Sequence, residues 1–108
     1  MATTVKLPMP MDKIAEFCER WHITEFALFG SALTEQFRVD SDVDVLVTFG
    51  QGATYTLGDL DTMETELESL FGRSVDLIDR QAVQESPNYI RRHAILGSAQ
   101  VIYQANYA

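Results

Sequence analysis

The chain has 108 residues, 46% of them hydrophobic and 22% charged, which fits one soluble globular domain spanning 1–108 and leaves no room for a catalytic domain plus a separate substrate domain. Sixteen acidic against eight basic residues give a formal charge of −8 and a pI near 4.5; this excludes the clustered cations of a duplex nucleic-acid binder, yet admits a nucleotide carried with divalent cations, or a basic protein partner. No run approaches the roughly 18 to 20 apolar residues of a membrane span and MATTVKLPMPMDK lacks the apolar core of a signal peptide, so a cytoplasmic location is expected.

In chain order, Pro8 and Pro10 precede Ile14, Phe17, Cys18 and Trp21, whose i, i+3, i+4, i+7 spacing predicts a helix over about 11–21. Cys18 is the only cysteine, so it offers no intrachain disulfide or cysteine-based zinc site and reads as a small packed hydrophobe. Glu25 to Phe29 (EFALF) predicts a strand that Gly30 ends. Residues 31–41 are polar and irregular, with a turn of helix allowed at 32–37.

Asp42 to Phe49 (DVDVLVTF), closed by Gly50 and Gly52, predicts a second strand. From Thr56 the period changes. Leu60, Met63, Leu67, Leu70 and Phe71 form a helical stripe, Thr56 with Asp59 has capping-box spacing, and Gly72 marks the stop. Ser74 to Ile78 (SVDLI) predicts a third strand, Ser86-Pro87 an N-cap opening a helix that Gly97 ends, and Gln100 to Gln104 a last short strand. Helix, strand, strand, helix, strand, helix, strand is an α+β or mixed α/β order, with a small mixed sheet covered by helices.

The second strand contains an anomaly. Side chains alternate across a strand, so Asp42 and Asp44 share one face and Val43, Val45 and Val47 the other. The valine face can enter the core; the aspartate face is expected not to. Two carboxylates about 7 Å apart repel each other unless a cation lies between them, and hard ions such as Mg²⁺ favour carboxylate oxygen while keeping positions for water and phosphate. Asp76, flanked by Val75 and Leu77, repeats the anomaly and can complete a triad if the third strand pairs with the second in the right register.

A lone DSD is ordinarily a solvated turn. Asp40 to Asp44 also begins like a calcium loop, but Val45 stands where that loop needs glycine and Gln51 where it needs glutamate. What favours chemistry is the conjunction of the acids with Gly30-Ser31: glycine takes positive φ and bares its backbone, so amides and a hydroxyl can approach a phosphate.

Gly30-Ser31, Asp42-Val43-Asp44 and Asp76 resemble the pattern of the DNA polymerase β-like nucleotidyltransferase superfamily. SDVDVLV, RSVDLI, PNYIRRHAIL and VIY together are similar to the minimal nucleotidyltransferases, the antitoxin halves of MNT/HEPN toxin–antitoxin systems, from about Trp21 to Tyr103. The resemblance implies a sheet carrying two Mg²⁺ ions and transfer of a nucleotidyl group from ATP to an acceptor hydroxyl. Gly30 and Ser31 would hold the triphosphate, Asp42 and Asp44 both metals, and Asp76 the second metal while helping to deprotonate the acceptor. The implied acceptor is a tyrosine of a partner HEPN-domain toxin, in a hetero-oligomer with it. The alternative is an antitoxin of the same fold that neutralises its toxin by stoichiometric binding. Relatives often carry arginine near Thr34. Arg38, Arg91 or Arg92 could replace it, although Arg91 and Arg92 also read as solvated charges. His22 and His93 read as surface or boundary residues, and Tyr89, Tyr103 and Tyr107 as packing residues.

Overall fold

The computed structural model describes residues 10–30 and 42–105. Helices α1 (Met11–Arg20), α2 (Leu57–Phe71), α3 (Arg80–Gln84) and α4 (Tyr89–Ser98) surround strands β1 (Ile23–Phe29), β2 (Val43–Phe49), β3 (Val75–Asp79) and β4 (Gln100–Gln104). The strands form one mixed sheet in the order β3-β2-β1-β4. β1 runs antiparallel to β2 and β4, whereas β2 and β3 are parallel. A parallel neighbour requires a crossover, which α2 supplies.

Alternation along the strands builds two cores. On one face Phe26, Leu28, Val43, Val45, Val47 and Val75 pack with Ile14, Phe17 and Cys18 of α1 and Met63 and Leu67 of α2. Phe17 meets Phe26 edge-on, with centroids 6.3 Å apart at 88°, an arrangement favoured by the ring quadrupoles. Burial, then Glu19, pushes the Cys18 thiol up to about 12, in keeping with its role as a packed hydrophobe. On the opposite face Ala27, Phe29 and Leu46 meet Val83 of α3 and Ile95 of α4. Leu46 lies on the aspartate face of β2 and is buried, so the expectation that this face stays out of the core fails past Asp44, where α3 and α4 cover it.

Local chemistry sets most boundaries. At α2, Thr56 Oγ1 accepts from the Asp59 amide at 3.1 Å while Asp59 Oδ2 accepts from the Thr56 amide at 2.9 Å, and Gly72 closes the helix at φ 70°. Thr56→Ala removes one half of this box. It should cost about 1 kcal/mol, lowering the melting temperature by about 4–8 °C in a thermal scan, while Thr56→Ser stays near the native value. Glu66 braces α2 to the end of α1, accepting from Arg20 Nη1 and Trp21 Nε1, each at 3.1 Å.

Other boundaries depart from expectation. α1 ends at Arg20, with Trp21 as its C-cap, and β1 begins at Ile23 rather than Glu25. The short α3 had not been expected. α4 starts at Tyr89, because Asn88 rather than Ser86 caps it by accepting from the Arg91 amide at 3.1 Å. Ser86 is held by α3, its amide donating to the Val83 carbonyl at 3.1 Å. Gly97 lies inside α4, which ends at Ser98. The turn of helix expected at 32–37 lies outside the described residues. Among the described residues no helix is long and apolar enough to cross a membrane.

Candidate active site

Topology gathers the unusual residues at one end of the sheet. Because β1 and β2 are antiparallel, the end of β1 lies beside the start of β2, and Phe29 pairs with Asp44. Because β2 and β3 are parallel, their starts lie side by side, and Asp44 pairs directly with Asp76. Paired residues in adjacent strands share a face, so these two carboxylates project together. Asp42, two residues before Asp44, lies at the same end, just before β2 begins at Val43.

Gly30 closes this end from the β1 side. Its φ is 74°, and a Cβ built on it would collide with Asp44 Oδ2 and lie 3.3 Å from Asp44 Cγ. Glycine therefore serves two needs here, the left-handed backbone and the close approach of a carboxylate. Ser31, the other half of the expected phosphate cradle, lies outside the described residues, as do Thr34, Arg38 and Tyr107.

The electrostatics combine burial with crowded like charges. Burial raises the Asp44 carboxyl above its ordinary value, and Asp76 and then Asp42 push it further the same way. Asp42 and Asp76 are exposed, while Asp44 is half-buried. The other acid of β3 is committed to structure: Asp79 accepts from the Tyr55 hydroxyl and, at 3.0 Å, from the Gln81 amide as the cap of α3.

Carboxylate oxygen is the donor that Mg²⁺ prefers, and three such groups leave coordination positions for water and phosphate. Among the described residues no three acidic, histidine or cysteine side chains are gathered tightly enough to hold an ion as placed. Like charges splay, and closing them onto one point takes a counter-charge. Asp44 and Asp76 stand side by side in register with Asp42 at the same end of the sheet, so the donor chemistry of the residues present fits a divalent ion.

The remaining expectations divide. Arg92 Nη1 donates to the carbonyls of Gln84 and Ser86 at 3.3 Å, so it ties α3 to α4. Arg91 is exposed. Both line a cavity of about 170 Å³ whose wall includes Ile78, two residues beyond Asp76 on the same face of β3. Sequence alone gave no sign of this cavity, because α3 forms part of its wall. His22 and His93 are exposed, as expected, and Tyr103 packs against the first core. Tyr89 is 65% exposed beside Ile90 at 70%, so it is not the packing residue expected.

Comparison with known proteins gives the family and the fold. The family model described as Nucleotidyltransferase domain matches residues 11–99. The protein adenylyltransferase MntA of Thermococcus cleftensis is 35% identical over 69 residues, 64% of this chain and 68% of that protein. A solved toxin–antitoxin structure with AMP-PNP superposes with a TM-score of 0.68 at 17% identity, covering 91% of this chain and 76% of that one. A solved complex of a tri-AMPylated Shewanella oneidensis HEPN toxin with MNT antitoxin gives a TM-score of 0.59 at 18% identity, covering 87% and 69%. At such identities the two structures speak for the fold.

Proposed function

Because the chain belongs to the nucleotidyltransferase domain family, we propose that it transfers AMP from ATP, with Mg²⁺, to a tyrosine hydroxyl of a partner HEPN-domain toxin and thereby acts as its antitoxin. One observation carries the reading: Asp44 and Asp76 stand in register on neighbouring parallel strands, where burial, then Asp76, then Asp42 raise the Asp44 carboxyl. The name of the Thermococcus relative supports protein adenylylation, and the fold shared with toxin–antitoxin complexes supports the partner.

The chemistry follows from that arrangement. The acceptor oxygen forms a bond to the α-phosphorus of ATP, the bond from that phosphorus to the bridging oxygen of the β-phosphate breaks, and pyrophosphate leaves. Such a reaction asks for in-line positioning and neutralised charge rather than covalent participation by the protein. In the proposed site Asp42 and Asp44 would hold two divalent ions, Asp76 would complete the set for the second and take part in removing the acceptor proton, and Gly30 and Ser31 would hold the triphosphate. Such ions, when bound, would supply the charge neutralisation that phosphoryl chemistry asks for.

The reading is tested by incubating the full chain with ATP labelled at the α-phosphate, Mg²⁺ and the HEPN toxin. Label should appear on the toxin, disappear when the acceptor tyrosine is replaced by phenylalanine, and disappear with Asp42→Asn. Equal labelling by Asp42→Asn overturns the assignment. Silencing of the toxin's ribonuclease without any label, and equally by Asp42→Asn, would establish neutralisation by occlusion instead.

A further inference from the structure

β3 is the outermost strand on its side of the sheet, so its outward amides have no neighbouring strand to receive them. An outward row of N–H groups must be hydrated, paired with another chain, or supplied with acceptors. Here two glutamates of α2 supply them. Glu68 Oε2 accepts from the Val75 amide at 3.2 Å, and Glu64 Oε2 accepts from the Leu77 amide at 2.9 Å.

The match is geometric. Residues four apart on a helix stand about 6 Å apart along its axis, and residues two apart on a strand about 6.6 Å. A helix lying along a strand edge can therefore grip alternate amides with an i, i+4 pair of side chains. Both bonds have a charged acceptor, the stronger kind. The residue between the two gripped amides is Asp76. Its own amide faces β2 by strand alternation, and the ladder there begins with the Val43 amide donating to the Ser74 carbonyl at 2.9 Å.

We propose that Glu64 and Glu68 are positioning residues for Asp76, fixing from the outer side the height and register at which its carboxylate faces Asp44. The inference rests on the site reading above and deepens it. Asp76 is exposed and stands on an edge strand, so the β2 ladder on one side and these two carboxylates on the other hold its backbone. A grip on the strand that presents a metal-binding carboxylate acts on ion affinity just as an outer hydrogen bond to a ligand does.

The test uses Mn²⁺ alone, read by paramagnetic broadening of amide resonances in the full-length chain, together with amide exchange. In the native chain Mn²⁺ should broaden Asp42, Asp44 and Asp76 first, and the Val75 and Leu77 amides should exchange slowly despite their place on an edge. Glu64→Ala with Glu68→Ala should speed exchange at both amides by about tenfold and weaken Mn²⁺ binding by about tenfold. Glu64→Gln with Glu68→Gln should recover most of both effects, since an amide oxygen still accepts. Asp61→Asn, on an exposed part of the same helix, controls for lost charge and should match the native chain. Native Mn²⁺ affinity in the double alanine variant overturns the positioning role alone. Failure of Mn²⁺ to broaden the three aspartates in the native chain overturns the site reading and this inference with it.

Discussion

Asp44→Asn is expected to leave a folded chain, more stable than the native one at neutral pH without metal, whose nucleotidyl transfer has fallen by about a thousandfold or more. The two effects have one cause. Burial, Asp76 and Asp42 all raise the Asp44 carboxyl in the folded chain, so its charged form is disfavoured there relative to the unfolded chain. Between the ordinary carboxylate value and the raised one, the folded state binds more protons than the unfolded state. Stability therefore falls as pH rises through that window, and the contribution from the protonated group is fully present only below it. Asparagine removes the charge and with it this penalty. It also removes an anionic donor around which the other two acids are arranged. Thermal scans between pH 3 and 7 check the first effect, with the native chain losing stability through the window more steeply than the variant. Mg²⁺ with ATP should raise the native melting temperature and leave that of Asp44→Asn unchanged. A variant that transfers at the native rate would remove Asp44 from the site.

The second large effect is expected at Gly30. Gly30→Val places a β-branched residue at φ 74° and drives its Cβ into the Asp44 carboxylate. The left-handed backbone alone costs about 1–2 kcal/mol. The collision adds to this, because Asp44 is held in the ladder between Phe29 and Asp76 and its side chain cannot retreat without abandoning the position shared with Asp76. Both stability and transfer should fall, in contrast to Asp44→Asn, where they move in opposite directions. Gly30→Ala should show the same pattern more mildly. Chemical denaturation alongside the labelling assay separates the two variants. A Gly30→Val chain with native stability and transfer would show that close approach at this position does not matter.

Much of this arrangement was legible in local sequence. The period of two in DVDVLVTF marked β2, which begins at Val43 rather than Asp42, and the Thr56–Asp59 spacing with Gly72 bracketed α2 almost to the residue. Asp76 stood out as an acid between Val75 and Leu77, but its partner did not, because register between segments more than 30 residues apart is set by the crossover helix. α3 escaped notice for a different reason: RQAVQ has only Val83 as a buried residue, too few positions to show a period. Ser86-Pro87 had the form of a cap, but Asn88 holds that place, while the Ser86 amide is engaged by the Val83 carbonyl of α3. Glu64 and Glu68 were indistinguishable in sequence from the solvated side of an amphipathic helix. Their role becomes visible only with the edge strand alongside.

The parallel join between β2 and β3 has a consequence for when activity can exist. The β1–β2 hairpin could assemble from neighbouring chain and would already display Asp42 and Asp44, yet it would lack the third acid. That acid joins only when the crossover through α2 has closed, a contact of far longer range in the chain than the hairpin. In the proposed site a molecule whose third strand has not joined lacks Asp76 and is expected to be catalytically silent, so that competence would report closure of the crossover.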